Sequence, residues 1–123
     1  VLFRSVTKAS RDGGVDVEVR RDEPGGRAVV LVQCKRYESV VRVHAVRELM
    51  GVVARRQANK GIVVATCSFT SSARQEASEN ELIELIDFVS LNKLLNKHFG
   101  SKWPERIHYE IRRLQAGAAR SHP

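Results

Sequence analysis

Between residues 15 and 35 the pattern of side chains leaves the backbone little choice but a hairpin. Val15-Asp16-Val17-Glu18-Val19 alternates strictly between branched apolar and acidic residues, which is the two-residue period of a half-buried strand. Val15, Val17 and Val19 then share one face, and Asp16 and Glu18 the other. Turn chemistry follows in Asp22-Glu23-Pro24-Gly25-Gly26, where proline presets φ and glycine accepts backbone angles closed to other residues. Ala28 to Lys35 is a second run, apolar until Gln33 and Lys35. A hairpin centred between Pro24 and Gly25 sets Asp16 across from Gln33 with Cβ atoms about 5 Å apart, and Lys35, two positions on, points the same way. A carboxylate, an amide and an ammonium converge where strand packing ordinarily places Val or Thr.

The rest of the chain supplies a sheet and its covering helices. Leu2 to Lys8 reads as a strand, closed by the polar run Ser10-Arg11-Asp12-Gly13-Gly14. From Val43 the period lengthens to 3.6: Val43, Val46, Met50, Val53 and Gln57 form a stripe with Arg47, Arg55 and Arg56 away from it, an amphipathic helix. Asn59-Lys60-Gly61 ends it. Ile62 to Thr66 is short, β-branched and apolar throughout, so both its faces are expected to be buried. Ser72 with Gln75 fits a capping box opening a second helix. Glu84 to Val89 predicts a strand, Ser90 to His98 a helix with Leu91, Leu94 and Leu95 inward, and a last helix begins near Pro104 with Ile107, Ile111 and Leu114 as its stripe. This order implies an α/β fold, a mixed β-sheet flanked by helices on both faces. The expected organisation is one domain over residues 1–116 and a frayed tail over 117–123.

Composition bounds the partners. The 123 residues are 42% hydrophobic, enough for one modest core, and 21 Lys and Arg against 14 Asp and Glu leave a net charge of +7. Such an excess suits nucleic acid, a membrane surface, or simple solubility. No apolar run reaches the roughly 18 residues of a membrane span and no signal-peptide pattern is present, so the expectation is a soluble, cytoplasmic protein. Cys34 and Cys67 lie in strand-like apolar stretches and read as buried thiols rather than a disulfide. His98, His108 and His122 lack zinc-ligand spacing. The chain opens on Val1 rather than Met, which suggests a fragment.

The converging polar set supports a definite chemistry. A carboxylate beside an amide oxygen can hold a hard divalent cation such as magnesium, with the Cys34 carbonyl between them as a further oxygen. Lys35 can then orient an attacking water and stabilise charge on a phosphate. The plainer reading is an Asp16–Lys35 cross-strand ion pair, worth about 1 kcal/mol or less if exposed. Thr70, Ser71 and Ser72 either cap a helix or offer its amides to a phosphate. Arg42, Arg47, Arg55, Arg56 and Lys60 either follow a DNA backbone or are solvated. His44 lies near the start of the long helix, and Trp103 is expected to pack the last one.

Asp12-Gly13-Gly14-Val15-Asp16 followed by Val32-Gln33-Cys34-Lys35-Arg36-Tyr37 resembles the catalytic domain of the Mrr-type restriction endonucleases, a branch of the PD-(D/E)xK nuclease superfamily in which glutamine replaces the second acidic residue. Val46-Arg47-Glu48-Leu49-Met50-Gly51, Asn59 to Thr66, Phe69-Thr70-Ser71-Ser72-Ala73 and Ile86-Asp87 extend the likeness over roughly Thr7 to Lys97. The resemblance implies a restriction-endonuclease-like core that hydrolyses phosphodiester bonds of double-stranded DNA with magnesium, or manganese in its place, in restriction of foreign or modified DNA. It implies Asp16, Gln33 and Lys35 as catalytic residues and Asp16, Gln33 and the Cys34 carbonyl as metal ligands; for such a substrate Arg36, Arg47, Thr70 and Ser71 are the expected DNA contacts. Asp12 reads as a turn residue rather than a ligand, and Glu18 shares the polar face of Asp16. Family members carry a helix before the first core strand, often with a further acidic residue, and a separate recognition domain. Both are expected elsewhere in a longer chain. A homodimer would let one site per chain cut both strands. The competing expectation is a DNA-binding module that kept the fold and lost catalysis.

Overall fold

A two-residue turn at Pro24 and Gly25 sets the geometry of the sheet, with Gly26 at φ 138°, a conformation that favours glycine. The computed structural model describes residues 5–8, 15–36, 40–105 and 112–113. Around the turn, β2 (Val17–Glu23) pairs antiparallel with β3 (Gly26–Lys35), and Val17 stands against Val32, the register expected from the turn. The strand expected from Val15 starts two residues later. On the outer side of β2 lies β1 (Ser5–Lys8), also antiparallel.

Beyond β3 the direction changes. α1 (Val43–Arg56) crosses to β4 (Lys60–Ala65), and α2 (Ser71–Ser78) crosses to β5 (Ile83–Ile86), each new strand parallel to the one before. The sheet runs β1-β2-β3-β4-β5 and α3 (Phe88–Phe99) follows. Two parallel crossovers of the same hand put α1 and α2 on one face, packed on each other. α3 packs on β4 and β5 rather than on that pair, which places it on the opposite face.

The core lies under α1. Its buried stripe is Ala45, Val46, Leu49, Val52 and Val53, rotated from the expected one: Met50 is half-buried and Gln57 is exposed as the left-handed C-cap, φ 53°. Gly61 explains the rotation. A Cβ there would stand 2.6 Å from Val53 Cγ2 and 3.0 Å from Leu49 Cδ2, so these two side chains close onto bare backbone. Leu31, Val63 and Ala65 complete the layer at 0% exposure.

The second face of the sheet is less covered than the sequence suggests. β4 buries Gly61, Val63 and Ala65, but Ile62 and Val64 are only half-buried, so the expectation of two buried faces fails. In α3, Leu91 and Leu95 are half-buried, Leu94 is 41% exposed and no residue is fully buried. That helix begins at Phe88, not Ser90, because Asp87 caps it through Ser90 N at 2.9 Å, and β5 correspondingly stops at Ile86. Likewise Thr70, not Ser72, caps α2, its Oγ1 accepting from Ala73 N at 3.1 Å. The expected last helix shows only Trp103–Glu105 and residues 112–113 as helical; Ile107, Ile111 and Leu114, like the tail over 117–123, lie outside the described residues. No described helix is long and apolar enough to cross a membrane.

Candidate active site

The site grows from a mismatch in length between two ladders. β2 and β3 part at Val17–Val32, whereas on its other side β3 stays paired with β4 through Gln33–Val63, Cys34–Val64 and Lys35–Ala65. The last three residues of β3 therefore project past the hairpin ladder while the parallel neighbour holds them straight. In an extended strand the N–H and C=O of one residue point to the same side. Those of Cys34 point toward the gap that β2 has left.

Asp16 fills that gap. Its N–H donates to Val32 O at 2.9 Å, and its Oδ2 accepts from Cys34 N at 2.6 Å. The carboxylate thus replaces the next rung of the ladder and is fixed beside the Cys34 main chain. The Cys34 carbonyl points to that same side of the strand. The Cys34 thiol is a separate matter: although the residue as a whole is exposed, partial desolvation, reinforced by the Asp16 charge, holds it above the ordinary thiol range. Neither cysteine is fully buried as expected; Cys34 is an exposed residue and Cys67 half-buried, and both are free thiols.

Gln33 and Lys35 alternate onto the face shared with Leu31, the face α1 covers. Among the described residues Gln33, 2% exposed, is the one buried charged or polar residue, and its Oε1 has no hydrogen-bond partner there. A buried amide oxygen left unpaired costs about 1 to 3 kcal/mol. Such an oxygen, a carboxylate and a main-chain carbonyl at one strand end are all oxygen donors, the ligand type that hard divalent cations take. The residues present therefore fit a magnesium-like ion. Among the described residues no group of three His, Cys, Asp or Glu could hold a metal.

Glu18 is the neighbouring acid on β2, and Arg20 holds it: Nε lies 3.1 Å and Nη2 2.9 Å from Oε2. That i,i+2 clamp was legible from strand alternation.

The carboxyl ends of β4 and β5 adjoin the site, since Thr66 N donates to Lys35 O at 3.1 Å. Here Val41 bridges to Phe69, bringing the entry of α1 beside that of α2. Arg74 joins the cluster, its Nη2 3.1 Å from Asp87 Oδ2 and its guanidinium 5.9 Å from the Phe69 ring centroid. The Ser90 N–H and then Arg74 hold the Asp87 carboxyl below the usual range. Sequence reading passed over Arg74, because thirteen residues separate it from its partner.

The expected DNA contacts divide. Ser71 is exposed at the start of α2 and Arg36 is exposed just past β3, whereas Thr70 is engaged in capping and Arg47 binds Glu76 at 3.0 Å, tying α1 to α2. His44 is 85% exposed beside Glu48 at 3.8 Å. Asp12, His108 and His122 lie outside the described residues; His98 is exposed and Trp103 half-buried.

A mixed sheet with a polar strand end at its antiparallel-to-parallel junction is the restriction-endonuclease-like architecture. The fold superposes on the DNA modification-dependent restriction endonuclease AspBHI with a TM-score of 0.66, at 20% identity over 91% of this chain and 30% of that one. It superposes on the MspJI restriction endonuclease, solved in complex with a 27-mer oligonucleotide, with a TM-score of 0.60, at 25% identity over 98% of this chain and 26% of that one. In sequence it is 34% identical over 76 residues to the type IV methyl-directed restriction enzyme EcoKMrr of Escherichia coli strain K12. That match takes in 62% of this chain and 25% of the relative. The restriction endonuclease family model of Mrr catalytic domains matches residues 3–95. The chain belongs to the Mrr-type restriction endonuclease catalytic-domain family.

Proposed function

We propose that this domain is a divalent-metal-dependent DNA endonuclease, magnesium being the expected ion, that hydrolyses phosphodiester bonds in the restriction of modified or foreign DNA. The observation that carries the metal site is Gln33 Oε1, buried and unpaired at the strand end where Asp16 is tied to Cys34. Family membership and the names of the relatives support the substrate class. A cation held by Asp16, Gln33 and the Cys34 carbonyl would polarise the scissile phosphate. Lys35, on the Gln33 face and about 7 Å along the strand from it, stabilises charge gathering on that phosphate and orients the attacking water. Ser71 and Arg36 contact the flanking backbone, and the excess of +7 draws the duplex in.

The test is nicking of methylated and unmethylated plasmid with magnesium or manganese. Asp16→Asn and Lys35→Ala should each lower the rate about 100-fold or more. Full activity in Lys35→Ala refutes the lysine assignment. Salt-sensitive DNA binding without nicking under any of these conditions would favour the inactive binding module instead.

A further inference from the structure

We propose that Arg74 is a phosphate contact for the duplex and that Asp87 occupies it until DNA arrives, so that on binding the arginine exchanges a carboxylate for a backbone phosphate. This rests on the nuclease reading above and adds to its DNA surface a residue outside the metal site.

Arg74 lies on α2, three residues after the exposed Ser71, and residues so spaced are neighbours on a helix surface. Its partner Asp87 directly follows β5 and caps α3. Both stand at the carboxyl ends of the parallel strands, where open α/β sheets receive their ligands. Lys35 ends β3, two strands away. At about 4.8 Å per strand spacing, the ends of β3 and β5 are about 10 Å apart, close to three base steps of one DNA strand at about 3.4 Å each.

The pair is held so that its members can part. A guanidinium carries five N–H donors, and among the described residues only Nη2 of Arg74 meets an acceptor, Asp87 Oδ2 at 3.1 Å. The side chain is 52% exposed, and an ion pair so placed contributes little. The guanidinium is also steadied from another side, 5.9 Å from the ring centroid of Phe69, which is 5% exposed and bridged to Val41. An arginine fixed by a ring, with most donors unused, presents the planar fork that phosphate takes bidentately. Asp87, for its part, does not depend on Arg74. Its Oδ1 accepts from Ser90 N at 2.9 Å, that main-chain bond is the larger cause of its lowered pKa, and the start of a helix favours negative charge. Losing Arg74 to a phosphate leaves the carboxylate still compensated.

Anisotropy titration of a fluorescent short duplex with the 123-residue chain, in EDTA and at several salt concentrations, tests this. Arg74→Ala should weaken binding about tenfold, equally on methylated and unmethylated duplex, and make the slope of log affinity against log salt shallower by about 0.9. Asp87→Asn keeps an N-cap residue and releases the arginine, so it should tighten binding about two- to fivefold. In the Arg74→Ala background that gain should be at least about twofold smaller, which separates release of the arginine from mere loss of a negative charge. If Arg74→Ala unfolds, Arg74→Gln, which keeps the stem and the helix propensity, takes its place. A folded Arg74 variant with wild-type affinity and salt slope overturns the proposal while leaving the nuclease reading intact. So does Asp87→Asn if it weakens binding, or if its gain is the same with and without Arg74. A wild-type chain that binds no duplex at low salt overturns the nuclease reading, and the proposal with it.

Discussion

Replacing Gln33 by methionine should make the metal-free protein more stable and leave it inactive. Gln33 is 2% exposed and its Oε1 meets no hydrogen-bond donor among the described residues, so folding strips that oxygen of water without replacement. The cost of a buried acceptor left unpaired is about 1 to 3 kcal/mol. Methionine keeps nearly the same length and volume, and such volume-conserving changes cost less than about 1.5 kcal/mol in packing. The balance is a gain of about 1 kcal/mol, or roughly 4 °C in Tm for a domain of this size. Urea and thermal unfolding in EDTA measure it, with nicking followed in parallel. If Gln33→Met is instead destabilised by more than about 1 kcal/mol in EDTA, the amide oxygen is satisfied in the folded protein. The orphan-acceptor argument for the metal site then fails.

Gly61→Ala should destabilise by about 1 to 3 kcal/mol, because its Cβ meets Val53 Cγ2 at 2.6 Å; in urea unfolding Val53→Ala should recover part of the loss in a double-mutant cycle, and additive effects would show α1 to be misplaced. Asp87→Ala removes the cap of α3 and should cost about 1 kcal/mol at neutral pH. Since Asp87 has a folded pKa below its unfolded value near 4, its contribution is complete above that value and drains away as pH falls through the folded pKa. Unfolding of variant and wild type should therefore converge as the pH is taken well below that unfolded value. Cys34→Ala should retain nicking, since the main chain and not the thiol enters the site, and at pH 8 the wild-type thiol, with its raised pKa, should label more slowly than a free thiol in solution.

The sequence alone determined the pairing of the hairpin strands. A turn centred between Pro24 and Gly25 sets Val17 across from Val32, a slip of one or two residues aside, and the structure has that pair. The family resemblance likewise agrees with the family model over residues 3–95, because motif spacing is written in the chain. Boundaries were less legible. Thr70 and Asp87 took the caps expected elsewhere or missed, since several polar residues near a helix start can serve and their surroundings choose among them. Only the tertiary structure decided which face of α1 is buried, through the bare backbone of Gly61. It alone brought Arg74 to Asp87 across thirteen residues. It also turned Asp16 from a member of a strand into a carboxylate fixed on Cys34 N. The reason is physical: local period sets the direction of a side chain, but burial, close approach and an unpaired oxygen such as that of Gln33 depend on which neighbours arrive from elsewhere in the chain.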